Sequence, residues 1–204
     1  GDEEKLGAPS SIVRKELIDA GKWADVGLGF EGASGMDTGT IARRSSSSWI
    51  LKTTGIQGHS SRVFSETLGY GAIFESSRIL NTFRKDLSEE QYLTFNPGVM
   101  VGGTDVEYDP LNSRGYAFGK TNVVSQSVVV HGGIRTISMD QLENAKNSMK
   151  KIVSNNLPGT TATITFKTSY PPMEPTKANY VLLDQLEEVT HATRKTHCNA
   201  TVTG

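Results

Sequence analysis

An α+β fold, a ferredoxin-like split βαβ sandwich inserted into an α/β domain, is the architecture this sequence predicts, and three observations predict it. Between residues 48 and 166, four stretches alternate apolar and polar residues and two show helical spacing, in the order strand, helix, strand, strand, helix, strand. On the N-terminal side a helical pattern is followed by strand-like alternation, as in an α/β unit. On the C-terminal side, Tyr170-Pro171-Pro172-Met173-Glu174-Pro175 forms a stiff linker before a last helix. The expected domains are therefore 1–44, part of an α/β domain, 45–168, the inserted sandwich, and 169–204, a return into the first.

The elements follow in order. Pro9 and Ser10-Ser11 start a helix carried by Ile12, Val13, Leu17 and Ile18 and stopped at Gly21. Val26, Leu28 and Phe30 alternate with small residues and predict a short strand ending at Glu31, after which 32–40 reads as a loop. Trp49, Leu51 and Thr53 share one face of a strand over 48–55. Leu68, Ala72, Ile79, Leu80 and Phe83 set a helix, and Leu93-Thr94-Phe95 with Val99-Met100-Val101 a strand. Thr104 to Gly115, with Asp105, Glu107 and Asp109, reads as a solvated acidic loop. Asn122 to Ile137 reads as one long central strand through Val124, Val128, Val130 and Ile134. Ser138 with Gln141 three residues on is a capping box for a helix over 139–155, and Thr161 to Phe166 alternates again. A helix over 179–194 and a strand from Cys198 close the chain.

The 204 residues are 36% hydrophobic and 21% charged, an ordinary soluble globular composition. A net charge of −1 argues against the basic footprint that nucleic acid requires, and no apolar run approaches the ~20 residues of a membrane helix. A single cysteine, Cys198, excludes an intrachain disulfide framework and a Cys-rich zinc site. Gly1-Asp2-Glu3-Glu4 has no initiating Met, basic region or apolar stretch, so the chain reads as a piece of something longer and its compartment stays open.

Six residues could carry chemistry. Glu3 and Glu4 are adjacent, so at a strand end one can ligate a metal while the other faces a bound water. Glu31 has the small neighbours Gly29 and Gly32, which permit close approach of a ligand. His59, in Gly58-His59-Ser60-Ser61, follows a strand in surroundings that leave an imidazole exposed. Asn122 can donate to an oxyanion, and Arg135 suits bidentate capture of a carboxylate. Their odd separation puts them on opposite faces of an ideal strand unless Gly132-Gly133 accommodates a bulge. Nucleophile-elbow, Walker, HExxH and dinucleotide motifs are absent, and His131, His191 and His197 receive no role.

Taken in order, Gly1-Asp2-Glu3-Glu4, Ala24-Asp25-Val26 through Phe30-Glu31, Thr54 through Ser61, Gly69-Tyr70-Gly71-Ala72-Ile73, Thr121-Asn122-Val123-Val124 and Gly133-Ile134-Arg135 resemble the M20 family of zinc-dependent peptidases and deacylases. That family includes carboxypeptidases, aminoacylases and desuccinylases. The resemblance implies a dinuclear zinc hydrolase acting on a peptide or N-acyl amino acid, with residues 45–168 as its lid and dimerisation domain. It implies Glu3 as general base, Glu4 and Glu31 as ligands to the two zinc ions, and His59 as the lid histidine that reaches a partner subunit's active site in a homodimer. Asn122 and Arg135 then hold the substrate. The family's remaining metal ligands, a His and an Asp upstream and a His downstream, have no counterpart, so this chain by itself is expected to be inactive. The family's glutamate-preferring relatives carry an arginine near the lid's end, where this chain has Tyr170-Pro171-Pro172-Met173. A dimerisation module without catalysis is the alternative, and a small-molecule binding domain rests on fold analogy alone.

Overall fold

The computed structural model describes residues 10–30, 35, 37–194 and 198–203. Two helices come first, α1 (Ser10–Val13) and α2 (Lys15–Trp23), and then β1 (Thr38–Arg43) and β2 (Ser46–Gly55). The long helix α3 (Ala72–Leu87) leads into β3 (Thr94–Gly103), a hairpin of β4 (Asp105–Asp109) and β5 (Arg114–Phe118), and β6 (Ser127–Arg135). Helix α4 (Met139–Val153), β7 (Thr160–Tyr170), α5 (Lys177–Arg194) and β8 (Asn199–Thr203) complete the order.

Strands β3, β6, β2 and β7 form one antiparallel sheet in that order, and α3 and α4 cover one face, which is the split βαβ arrangement. The alternation that predicts these strands is the alternation that fills the core. Trp49, Leu51 and Thr53 on β2 and Val128, Val130 and Ile134 on β6 point to the helices and are almost wholly buried. They meet Ile79 and Phe83 of α3 and Leu142, Ala145 and Met149 of α4. Trp49 stands edge-on to Phe83 with ring centres 6.1 Å apart, and its Nε1 donates to the Gly133 carbonyl at 3.0 Å. The Trp49 ring lies where a side chain at 132 would be. A Cβ on Gly132 would fall 2.3 Å from it, so only glycine fits.

Ser138 caps α4 by accepting the Gln141 N–H at 3.0 Å, and the Gln141 side chain accepts from the Ile137 N–H at 2.9 Å, one residue before the N-cap. Glu75, fully buried at the start of α3, is clamped by Arg78 through Nε at 3.0 Å and Nη2 at 2.7 Å and also accepts the Leu157 N–H at 3.1 Å. This ties α3 to the turn between α4 and β7. Nearby, Gly69 has φ +68 and lies so close to Pro158 that a Cβ would meet its carbonyl oxygen at 1.9 Å.

Several expectations need correction. Residues 26–30 form no strand, and Val26, Leu28 and Phe30 are exposed, with no described strand pairing with them. The first helix breaks at Arg14 and runs past Gly21 to Trp23. Part of the expected loop over 32–40 is instead the start of β1, which pairs in parallel with β8 under α5. The acidic stretch after Thr104 is not a loop, because β4 and β5 pair through five residues each. The central strand begins at Ser127 and not at Asn122. Gly132 and Gly133 carry no bulge, since β6 pairs with β2 without a break. The irregularity is on β3, where Gly98 is extra between Pro97 and Val99. Pro97 is tolerated there because β3 is an edge strand.

Candidate functional site

The described candidate residues fall at the two ends of the sheet. At one end the turn after β2 meets the turn before β6. Ser60 N–H donates to the Asn122 carbonyl and Val124 N–H to the Gly58 carbonyl, both at 2.9 Å, so His59 and Val123 form a short antiparallel bridge and His59 and Asn122 become neighbours. Both side chains are exposed. His59 is also the N-cap of a single 3-10 turn over Ser60–Arg62. Its Nδ1 accepts the Ser61 N–H at 3.3 Å and lies 2.8 Å from the Ser61 hydroxyl. With Nδ1 occupied as an acceptor, the neutral ring carries its proton on Nε2, which becomes an outward donor. Ser61 was not singled out in the sequence, although a hydroxyl two residues after a histidine is the local signal for such a cap.

Arg135 lies at the other end. From residue 127 to residue 135, β6 covers eight steps of ~3.3 Å, so Arg135 is about 26 Å from the His59 end. Its backbone is held firmly. The next residue, Thr136, is buried with Ser45, the hydroxyls 2.9 Å apart, with Thr136 N–H donating to Ser45 Oγ at 3.0 Å and Ser45 N–H to the Thr136 carbonyl at 2.7 Å. The Arg135 side chain itself is exposed and has no hydrogen bond or ion pair with a described residue. Beside it an open notch of about 170 Å³ includes Thr94, Asn96 and Gly133 in its walls. Sequence reasoning missed this notch because it depends on the register of β3 against β6, which the bulge at Gly98 shifts.

The hairpin of β4 and β5 folds over the helix-free face of the sheet, where the Tyr108 hydroxyl lies 2.6 Å from His131 Nδ1. That contact gives His131 a structural role, and it explains how an acidic hairpin stays docked. Asp109 in its turn accepts from Asn112 Nδ2 at 2.6 Å and Leu111 N–H at 2.9 Å, and these bonds hold its carboxyl below the usual range.

The three carboxylates Glu3, Glu4 and Glu31 lie outside the described residues. Among the described residues no group of three or more His, Cys, Asp or Glu could hold a metal ion. Cys198 is buried, and burial first, then Glu187 and Asp37, pushes its thiol up, so it is poorly suited as a ligand. The described residues therefore do not fit a zinc site. No described helix is long and apolar enough to cross a membrane.

A family model described as a peptidase dimerisation domain matches residues 41–161. No curated protein matches the chain. Among solved structures, the aminopeptidase PepT from Bacillus cereus is similar, with a TM-score of 0.59 and 16% identity over 84% of this chain and 42% of that one. A tripeptidase from Staphylococcus aureus gives a TM-score of 0.55 and 16% identity over 84% of this chain and 41% of that one. An amidase of the hydantoinase/carbamoylase family from Burkholderia phymatum gives a TM-score of 0.56 and 14% identity over 80% and 37%. This chain thus spans about two-fifths of the length of these structures, and at such identities the likeness is one of fold.

Proposed function

The chain belongs to the M20 peptidase dimerisation domain family, and from that premise we propose that it is the lid, with its flanking segments, of a dinuclear zinc hydrolase cleaving a peptide or N-acyl amino acid amide bond. In this reading 1–44 belong to the catalytic domain, 45–168 are the lid and 169–204 return to the catalytic domain. Glu3 is the general base, and Glu4 and Glu31 each ligate one zinc. These roles come from the resemblance of their motifs.

The observation that carries the reading is the separation of the exposed groups. His59 and Asn122 stand together at one end of the sheet and Arg135 at the other, about 26 Å away. One small substrate cannot touch both ends of one chain, whereas in a pair of chains each can lend an end to a shared site. The His59 Nε2–H and the Asn122 amide then donate to the scissile carbonyl oxygen as negative charge develops on it, and Arg135 grips a carboxylate. A second copy of the chain is the partner. The β3 edge and α3 suit it, because exposed Ile73 and Met100 lie along that side and a Cβ on Gly102 would touch Ile73.

With only Glu4 and Glu31 as candidate ligands, the 204-residue chain alone neither holds zinc tightly nor turns over. The testing experiment is a panel of dipeptides and N-acyl amino acids, presented with zinc to the complete protein that carries this chain. Turnover of at least one class is expected. Absence of turnover across the panel in protein that contains zinc would overturn the reading.

A further inference from the structure

We propose that the notch beside Arg135 is a carboxylate subsite in which Asn96 is a second, specificity-determining arm and Gly133 is the floor. The inference rests on reading Arg135 as a substrate-holding residue and adds to it the residues that shape what the arginine accepts.

Register places these residues on one face. Asn96 pairs directly with Gly133 and Thr94 with Arg135, and Gly133 and Arg135 share the face of β6 opposite the buried Ile134. Asn96 is thus the diagonal neighbour of Arg135, a separation of about 7–8 Å that long side chains close over one small group. Gly133 is exposed, and a Cβ there would approach only the Ser47 carbonyl, at 3.9 Å, so the missing side chain is what leaves the space open. The floor is rigid, because Trp49 Nε1 donates to the Gly133 carbonyl. None of the residues lining the notch is acidic, and a second guanidinium stands near, with Arg44 Nη1 donating to Thr94 Oγ1 at 3.0 Å. The Asn96 amide, like Arg135, has no hydrogen bond with a described side chain. A fork of N–H donors and an amide N–H₂ lining one cavity match the two charged oxygens of a carboxylate, whereas a primary amide offers the fork one neutral oxygen and an N–H₂ that the Arg135 guanidinium cannot accept.

The test is an NMR titration of the 204-residue chain with N-acetylglycine, N-acetylglycinamide and sodium chloride, following the Asn96 side-chain amide and Arg135 Nε–H. N-acetylglycine is expected to shift both signals and the other two neither. Asn96→Ala is expected to weaken binding about tenfold, the loss of a hydrogen bond to a charged group. Gly133→Val fills the notch at an exposed strand position, so it should abolish binding while leaving the melting temperature unchanged or higher. If N-acetylglycine moves Arg135 but not Asn96, or if Asn96→Ala binds like the parent, the subsite proposal falls and the reading of Arg135 stands. If neither signal responds, both fall. An equal response to chloride overturns carboxylate specificity.

Discussion

Removing the Glu75 carboxylate should cost more stability than any exposed charge in the molecule. Glu75 is fully buried, holds Arg78 in a two-pronged contact and accepts the Leu157 N–H. In Glu75→Ala the Leu157 N–H loses its partner, which costs about 1–3 kcal/mol for a buried donor. Breaking a buried ion pair on one side costs about 3–5 kcal/mol, but the Arg78 side chain is 25% exposed and can recruit water, so the lower end applies. The two costs overlap, and a total of about 3–4 kcal/mol is expected. Glu75→Gln keeps the volume and an oxygen for Leu157, yet turns toward Arg78 an amide with less charge, so about 2 kcal/mol is expected. Urea denaturation with a shared slope measures both, and hydrogen exchange at Leu157 should accelerate before global unfolding. A cost under about 0.5 kcal/mol for Glu75→Ala, or a larger cost for Glu75→Gln than for Glu75→Ala, would mean that the carboxylate does not anchor α3 to the turn at Leu157.

Three further outcomes follow from the packing and the titrating groups. Gly132→Ala should cost about 3 kcal/mol in denaturant melts, because the new methyl meets the Trp49 ring and the Asn96 carbonyl, which lie on opposed strands. Ser138→Ala should cost about 1 kcal/mol through the lost α4 cap, seen as a lower melting temperature with the activity of the complete protein retained. The raised Cys198 thiol keeps its proton longer when folded than when unfolded. Its contribution to stability is therefore complete below the unfolded thiol's range and is lost as pH rises through the folded value. Cys198→Ser should flatten that alkaline decline, and thiol alkylation of the folded chain should lag far behind that of the denatured chain.

The sandwich was readable because its signals are local and repeated. Trp49, Leu51 and Thr53 alternate, Ile79 and Phe83 recur at helical spacing, and Ser138 with Gln141 marks a helix start, so each element declares itself within a dozen residues. What failed to show depends on partners distant in sequence. Thr38–Arg43 becomes a strand only because Asn199–Thr203 lies beside it, and Val26–Phe30 has the alternation of a strand but no described partner. The candidate residues were readable as chemical types, but their grouping was not. Asn122 joins His59 through backbone bonds between two turns, while Arg135, thirteen positions away in sequence, is carried to the far end of the sheet. The Gly98 bulge that sets Asn96 opposite Gly133 has no local signature beyond Pro97-Gly98.

Whether His59 acts in the site of a second chain, as proposed, is read from subunit mixing in the complete protein. Glu3→Gln and His59→Ala variants, each inactive alone, are unfolded together, refolded and assayed for amide hydrolysis. If His59 acts across the dimer, each mixed dimer has one site with Glu3 and the other chain's His59 both intact, and about a quarter of the parent activity returns at equal mixing. If His59 serves its own chain, every site lacks one of the two groups, and a mixture as inactive as its components rules out action across the dimer.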